Sequence, residues 1–347
     1  MAEMNSRVKI QKFFKREPVD TMPVFSGMGT VVIQAVNAMG TKFAKVHTDA
    51  KLLAESAIKS AEMCGLDAVV IPYDMATIAE AVGRGLTLYE NSEDILYPTV
   101  PNKWETLEEV DIPDDFMKRA RLPVVDEAFK ILLDDCRFGV GAWQLGPFTL
   151  AGQMIELGLL LKGAKKNKEA VEAFLTKMTD IVIENIKHYE SLGVDFLNIR
   201  EMGSGTDLLS PRMWKQLIQP HLVRIFKELK TPAVLHICGG TDMIVPLMNE
   251  CGADALSFDQ KNTLTKTREA VGDDVLVLGN FDPYGTLVQM EDPAQVEAVI
   301  KQCIDDGVDA VWPGCDLWPD VKMENVKAWV DTTRTYGKKP SPAVGRL

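Results

Sequence analysis

Leu192-Gly193-Val194-Asp195-Phe196-Leu197 reads as the end of a helix, a glycine, one spacer residue, an aspartate and then an apolar strand. The same order recurs at Cys64-Gly65-Leu66-Asp67-Ala68-Val69-Val70, at Cys251-Gly252-Ala253-Asp254-Ala255-Leu256 and at Asp306-Gly307-Val308-Asp309-Ala310-Val311. A glycine there lets a helix stop in the left-handed conformation, which a Cβ opposes. A short, unbroken apolar run behind it suits a strand buried on both faces. The copies are therefore αβ junctions of a parallel sheet.

Further short apolar runs lie between them, at Pro23–Phe25, Phe138–Trp143, Ala233–Ile237 and Val275–Leu278. Together they make eight expected strands. Helical signals separate several of them, for instance Asp292 as N-cap with Pro293 at the first helical position and a stop at Gly307. Eight strands alternating with helices predict a single (β/α)8 TIM barrel of the α/β class over residues 1–347. Residues 1–20 form an N-terminal helical arm, and a long insertion after the second strand runs roughly from Gly83 to Asp135. A doubly wound open sheet is the alternative that strand counting leaves standing.

The composition bounds the function. A chain of 347 residues that is 46% hydrophobic has ample material for a core. With 38 Lys and Arg against 50 Asp and Glu, the net charge of −12 disfavours nucleic acid and anionic membrane as partners. Met1 to Pro18 is polar and lysine-rich, with no apolar core of a secretion signal, and the most hydrophobic runs are interrupted by polar residues. Six cysteines in such a chain fit a reduced cytoplasm better than a disulfide framework. The expectation is a cytoplasmic protein.

In a barrel of this type, functional groups gather at the carboxyl ends of the strands. Those ends carry Ser26, Tyr73 and Asp74, Gln144, Arg200 and Glu201, His236 and Cys238, Asp259, Asn280 and Asp282, and Cys315. The sharpest feature is Leu235-His236-Ile237-Cys238-Gly239-Gly240. Residues i and i+2 of a strand face one side, so an imidazole and a thiolate can be aimed together into the barrel mouth. Cys315, behind Pro313-Gly314 at the end of the last strand, can supply a third soft ligand. His, Cys and Cys around zinc leave one tetrahedral position open, the layout of a catalytic site.

Other groups carry weaker signals. Asp74 and Glu201 are candidates for acid, base or acceptor roles in the pocket. Gly239, Gly240 and Thr241 sit at a strand-to-helix turn, with Thr241 as N-cap, where free N–H groups could bind an anion or a plain turn could stand. Gly27-Met28-Gly29 lacks the third glycine of a dinucleotide fingerprint and reads as a tight turn. Cys64, Cys136, Cys251 and Cys303 read as small buried hydrophobes. His188 and His221 fall within helices, on their expected outer faces.

These motifs are similar to those of the uroporphyrinogen decarboxylase-like superfamily, and within it to the zinc-containing methylcobamide:coenzyme M methyltransferases. The resemblance rests on Arg16-Glu17-Pro18-Val19-Asp20, Gly146-Pro147-Phe148-Thr149, Leu235–Gly240, Gly279-Asn280-Phe281-Asp282-Pro283 and Trp312–Cys315. It spans nearly the whole chain, and His236, Cys238 and Cys315 are its zinc-specific part. It implies zinc on those three residues, with Asp259 in the fourth position while no thiol is bound. It also implies a methylated cobamide as co-substrate, delivered by a separate corrinoid protein, and a small thiol such as coenzyme M as acceptor. Another acceptor or donor on the same site, a metal-free decarboxylase and a non-catalytic binding or zinc-storage module are the alternatives. The decarboxylase branch clamps an acidic tetrapyrrole with arginines after the first strand, and Phe25-Ser26-Gly27-Met28-Gly29-Thr30 contains none.

Overall fold

The four repeated junctions set the frame of the molecule. In the computed structural model, which describes residues 4–135 and 137–337, Gly65 and Gly193 end their helices with φ of 72° and 94°, and Gly252 and Gly307 are likewise left-handed. Behind the glycines and between them run seven strands: β1 Ala68–Ile71, β2 Gly139–Leu145, β3 Phe196–Arg200, β4 Ala233–Ile237, β5 Ala255–Phe258, β6 Leu276–Phe281 and β7 Ala310–Pro313. Each pairs in parallel with the next, in the order of the sequence. Every strand residue is buried, as expected where helices cover the outer face and side chains fill the inside.

The aspartate of each repeat ties a strand to the one before it. Asp195 donates its N–H to the Val140 carbonyl at 2.7 Å and accepts the Val140 N–H on its carboxylate at 2.8 Å. Asp254 makes the same pair of bonds with Ala233, and Asp309 with Val277. Asp67 makes them with Val24.

That last pair explains where the strand count departs from expectation. Residues 23–26 are extended and run beside β1, yet they are not a regular strand. Pro23 has no N–H, and the contacts to β1 pass partly through side chains: the Asp67 carboxylate takes the Val24 N–H, and the Thr30 hydroxyl takes the Val70 N–H at 3.0 Å. The segment still occupies the first-strand position, because Phe25 packs edge-on against Trp312 of β7 with ring centroids 4.9 Å apart. Among the described residues the fold is therefore an α/β barrel of seven regular strands and one irregular one.

The N-terminal arm is part of the core. Its helix, Ser6–Phe14, starts at Asn5, whose side chain accepts the Val8 N–H, and buries Ile10, Phe13 and Phe14. Phe14 stacks on Phe196 at the start of β3 (5.1 Å), and Ile10 lies against Gly139 at the start of β2. The arm thus closes the amino-terminal end of the barrel, opposite the expected site. Between β1 and β2 the insertion contains mostly irregular chain, with an isolated Thr87–Thr99 bridge, before the helix Leu122–Asp135. The helix Pro293–Asp305 opens as expected, with the Asp292 carboxylate accepting the Ala294 N–H at 2.9 Å. Among the described residues, no helix is long and apolar enough to cross a membrane.

Candidate metal centre

Register brings the site together. Arg200 of β3 is paired with His236 of β4, and His236 with Ser257 of β5. Paired residues of parallel strands point to one face, so the three side chains form a row across the inside of the barrel. The imidazole of His236 is fully buried, and its Nδ1 lies 2.9 Å from the Ser257 hydroxyl. That contact fixes the ring and turns Nε2 toward Cys238 Sγ, 3.1 Å away. Cys238 Sγ is in turn 3.5 Å from Cys315 Sγ, just past β7. The three potential ligand atoms lie within 4.8 Å of one another, and among the described residues this is the one such group of His, Cys, Asp or Glu.

The electrostatics suit soft ligation. Burial, reinforced by the charge of Arg200, pushes the His236 pKa down to about 4, so the ring is neutral at pH 7 and has a free lone pair. Two thiols in contact resist double ionisation. A hydrogen bond from Cys238 lowers the Cys315 pKa, while the same contact and burial raise that of Cys238. Beside them, burial lifts Asp316 to about 8, with Arg200 opposing part of the rise.

The other expected site residues are placed differently. The Asp259 carboxylate stands outside the cluster and accepts the N–H groups of Gly239 and Lys261, each at 2.9 Å. In the Gly239-Gly240-Thr241 turn the N–H of Gly239 is taken by Asp259 and that of Thr241 by the Asn262 side chain at 2.7 Å. Thr241 is not an N-cap: it is buried, and the next helix begins at Val245.

Asp74 is buried in an ion pair. Arg121 grips both its oxygens, at 2.7 and 3.0 Å, and His47 Nδ1 lies 3.0 Å away. Burial alone would raise its pKa, but the bonds from His47 and Arg121 and the Arg121 charge outweigh burial and hold it well below the ordinary carboxylate range. Glu201 is also buried, and it accepts the N–H groups of Phe148 and Thr149 and the Thr149 hydroxyl. Its pKa rises to about 7, because burial exceeds the effect of those bonds. In this geometry Asp74 fastens the loop after β1, and Glu201 fastens the first turn of the helix Pro147–Met154.

Three details bear on the remaining expectations. Gly27 and Gly29 do form a tight passage: a Cβ on Gly27 would strike the Trp312 ring, and one on Gly29 would strike Tyr73. His221 is buried, with Nδ1 2.9 Å from the Thr179 hydroxyl, so its expected outer-face position is corrected, whereas His188 is half-buried beside Asp126. Cys64, Cys251 and Cys303 are buried, while Cys136 lies outside the described residues. Sequence reasoning noted Arg200 as a strand-end group and gave no role to Ser257, His47 or Arg121. Of these three, Ser257 carried a local signal, as a lone hydroxyl in the apolar run Ala255-Leu256-Ser257-Phe258.

A parallel α/β barrel with a His-Cys-Cys donor set at its carboxyl end defines the class of protein. The chain belongs to the uroporphyrinogen decarboxylase (URO-D) family, whose model matches residues 5–336. It is 29% identical over 341 residues to the methylcobamide:CoM methyltransferase MtaA of Methanosarcina barkeri (strain Fusaro / DSM 804), covering 97% of this chain and 99% of the relative. To the methylated-thiol–coenzyme M methyltransferase of Methanosarcina mazei it is 27% identical, over 90% of this chain and 84% of that one. A solved methyltransferase from Methanosarcina mazei superposes with a TM-score of 0.88 at 28% identity, covering 95% of this chain and 98% of the other.

Proposed function

We propose that this protein is a zinc-dependent methyltransferase that moves a methyl group from a methylated cobamide, carried by a corrinoid protein, to a small thiol such as coenzyme M. The observation that carries this reading is the approach of His236 Nε2, Cys238 Sγ and Cys315 Sγ to within 4.8 Å at the barrel mouth. Relatives named for cobamide-to-thiol transfer, matched along nearly the full chain, support it.

The donor set fits zinc. One neutral imidazole and two thiols are soft ligands, and the Ser257 contact on Nδ1 leaves Nε2 available. His236, Cys238 and Cys315 would hold the ion. When bound, zinc keeps an incoming thiol deprotonated at neutral pH, which makes its sulfur nucleophilic. The rest falls to the protein. Ser257 fixes the imidazole, Glu201 caps the first turn of the helix Pro147–Met154 at Phe148 and Thr149, and the Asp74–Arg121 pair anchors the loop after β1. Asp259 as a resting fourth ligand belongs to the same proposal, and would require its carboxylate to turn from the Gly239 N–H. A cytoplasmic setting suits the free cysteines.

The test is metal content and turnover in Cys238→Ala and Cys315→Ala. Each variant is expected to fold, to lose most of its zinc and to lose methyl transfer from methylated cobamide to coenzyme M. Full zinc occupancy in both would overturn the assignment.

A further inference from the structure

Among the described residues the free cysteines fall into two kinds. Cys64, Cys251 and Cys303 are buried on separate elements, whereas Cys238 and Cys315 are half-buried and stand with their sulfurs 3.5 Å apart. The pair is distant in every other sense. Cys238 follows β4 and Cys315 follows β7, strands that are not neighbours in the sheet, and the two lie 77 residues apart in the chain.

A disulfide holds its sulfurs about 2.05 Å apart, so the two thiols stand roughly 1.5 Å from bonding distance. Little has to move to close that gap. β4 ends at Ile237 and β7 at Pro313, so each cysteine sits in the turn beyond its strand, next to Gly239 or Gly314, where side-chain torsions can change without breaking a ladder bond. The approach that lets two thiolates share one ion also lets them join each other once the ion leaves.

We infer that Cys238 and Cys315 form a reversible disulfide when a peroxide oxidises them, so that the ligand cluster is also an oxidative modification site whose oxidised form does not hold zinc. The release of zinc rests on the metal reading proposed above; the cross-link itself does not. Two thiols and one peroxide give one disulfide and two waters. One sulfur, as thiolate, attacks a peroxide oxygen, breaks the O–O bond and becomes a sulfenic acid as hydroxide leaves. The second sulfur then displaces hydroxide from the first, and the two thiol protons complete the waters. Both electrons come from the pair. The disulfide offers no thiolate to a metal, which leaves His236 alone of the three ligands. Exchange with a small dithiol returns both thiols.

The test treats zinc-loaded and metal-free wild type with hydrogen peroxide and follows three quantities: zinc released to a chromogenic chelator, free thiols remaining, and the cross-link located by peptide mass mapping without reduction. The zinc-loaded protein should lose about two thiols for each zinc released, and the map should join the peptides of Cys238 and Cys315. Cross-linking should be faster in the metal-free protein, and dithiothreitol should restore both thiols and the capacity for zinc. In Cys315→Ser the cross-link should be lost, and Cys238 should run on to sulfinic acid.

Wild type in which Cys238 and Cys315 end as sulfinic acids without joining would overturn the inference. So would a disulfide that forms through other cysteines instead, or thiols that dithiothreitol does not restore. Wild type that joins Cys238 to Cys315 but takes up no zinc when reduced would sink the zinc assignment and leave the cross-link standing.

Discussion

At the scale of single residues, the molecule separates carboxylates that fasten backbone around the mouth from the soft groups that gather in it. Asp74 belongs to the first kind. Its buried pair with Arg121 means that Asp74→Asn leaves the guanidinium with Glu80 as its one remaining carboxylate among the described residues, which should cost about 3 kcal/mol of stability at pH 7. Because the folded-state pKa lies below the ordinary value of 3.8, this stabilisation is present above about pH 4 and drains away as the pH falls below it. Urea melts at pH 7 and pH 3 should therefore show a smaller gap between variant and wild type in acid. An equal gap at both pH values would contradict the ionised pair. That His236 and Cys238 face one side was legible from their i, i+2 spacing, and that Cys315 can join them from its place after the last strand. The state of Asp74 was not, since Arg121 and His47 lie 47 and 27 residues away in the chain and no local pattern announces them.

The elements were legible where one pattern repeats. The Gly-x-Asp junctions placed β1, β3, β5 and β7 directly, because glycine geometry and an unbroken apolar run are both local. The aspartates proved to do more than begin a strand. Each carboxylate takes a backbone N–H from the preceding strand position, which binds successive strands in pairs at the closed end of the barrel. Asp195→Ala should leave the Val140 N–H unpaired and remove the Asp195 contacts of Arg7 and Gln11 of the arm, at a cost of about 2–4 kcal/mol. Chemical denaturation measures it, and a loss below about 0.5 kcal/mol would mean that the pairing is incidental. The segment at Pro23–Phe25 was read as an ordinary strand for its apolar run. Apolarity records burial and says nothing of ladder bonding, so a strand position held through Asp67 and Thr30 side chains looks the same in sequence.

Across the whole molecule, the two ends of the barrel have separate tasks. The arm and its aromatic cluster, Phe13, Phe14, Phe25 and Phe196, close one end, while the ligand cluster lies at the other. Phe14→Ala should therefore destabilise the fold by about 3–5 kcal/mol and leave the zinc content of the folded protein unchanged. Zinc loss in proportion to stability loss would show that the ends are coupled. The long insertion between β1 and β2 was found from its length, but its course was not, because irregular chain obeys no period that a sequence displays. The most direct measurement on the central claim is the absorption spectrum of a methylated cobamide mixed with zinc-loaded protein as coenzyme M is added. Conversion to the demethylated spectrum that needs both the thiol and Cys315, and that S-adenosylmethionine cannot replace as the methyl source, is the expected result; an unchanged spectrum, or full conversion by Cys315→Ala, would contradict it.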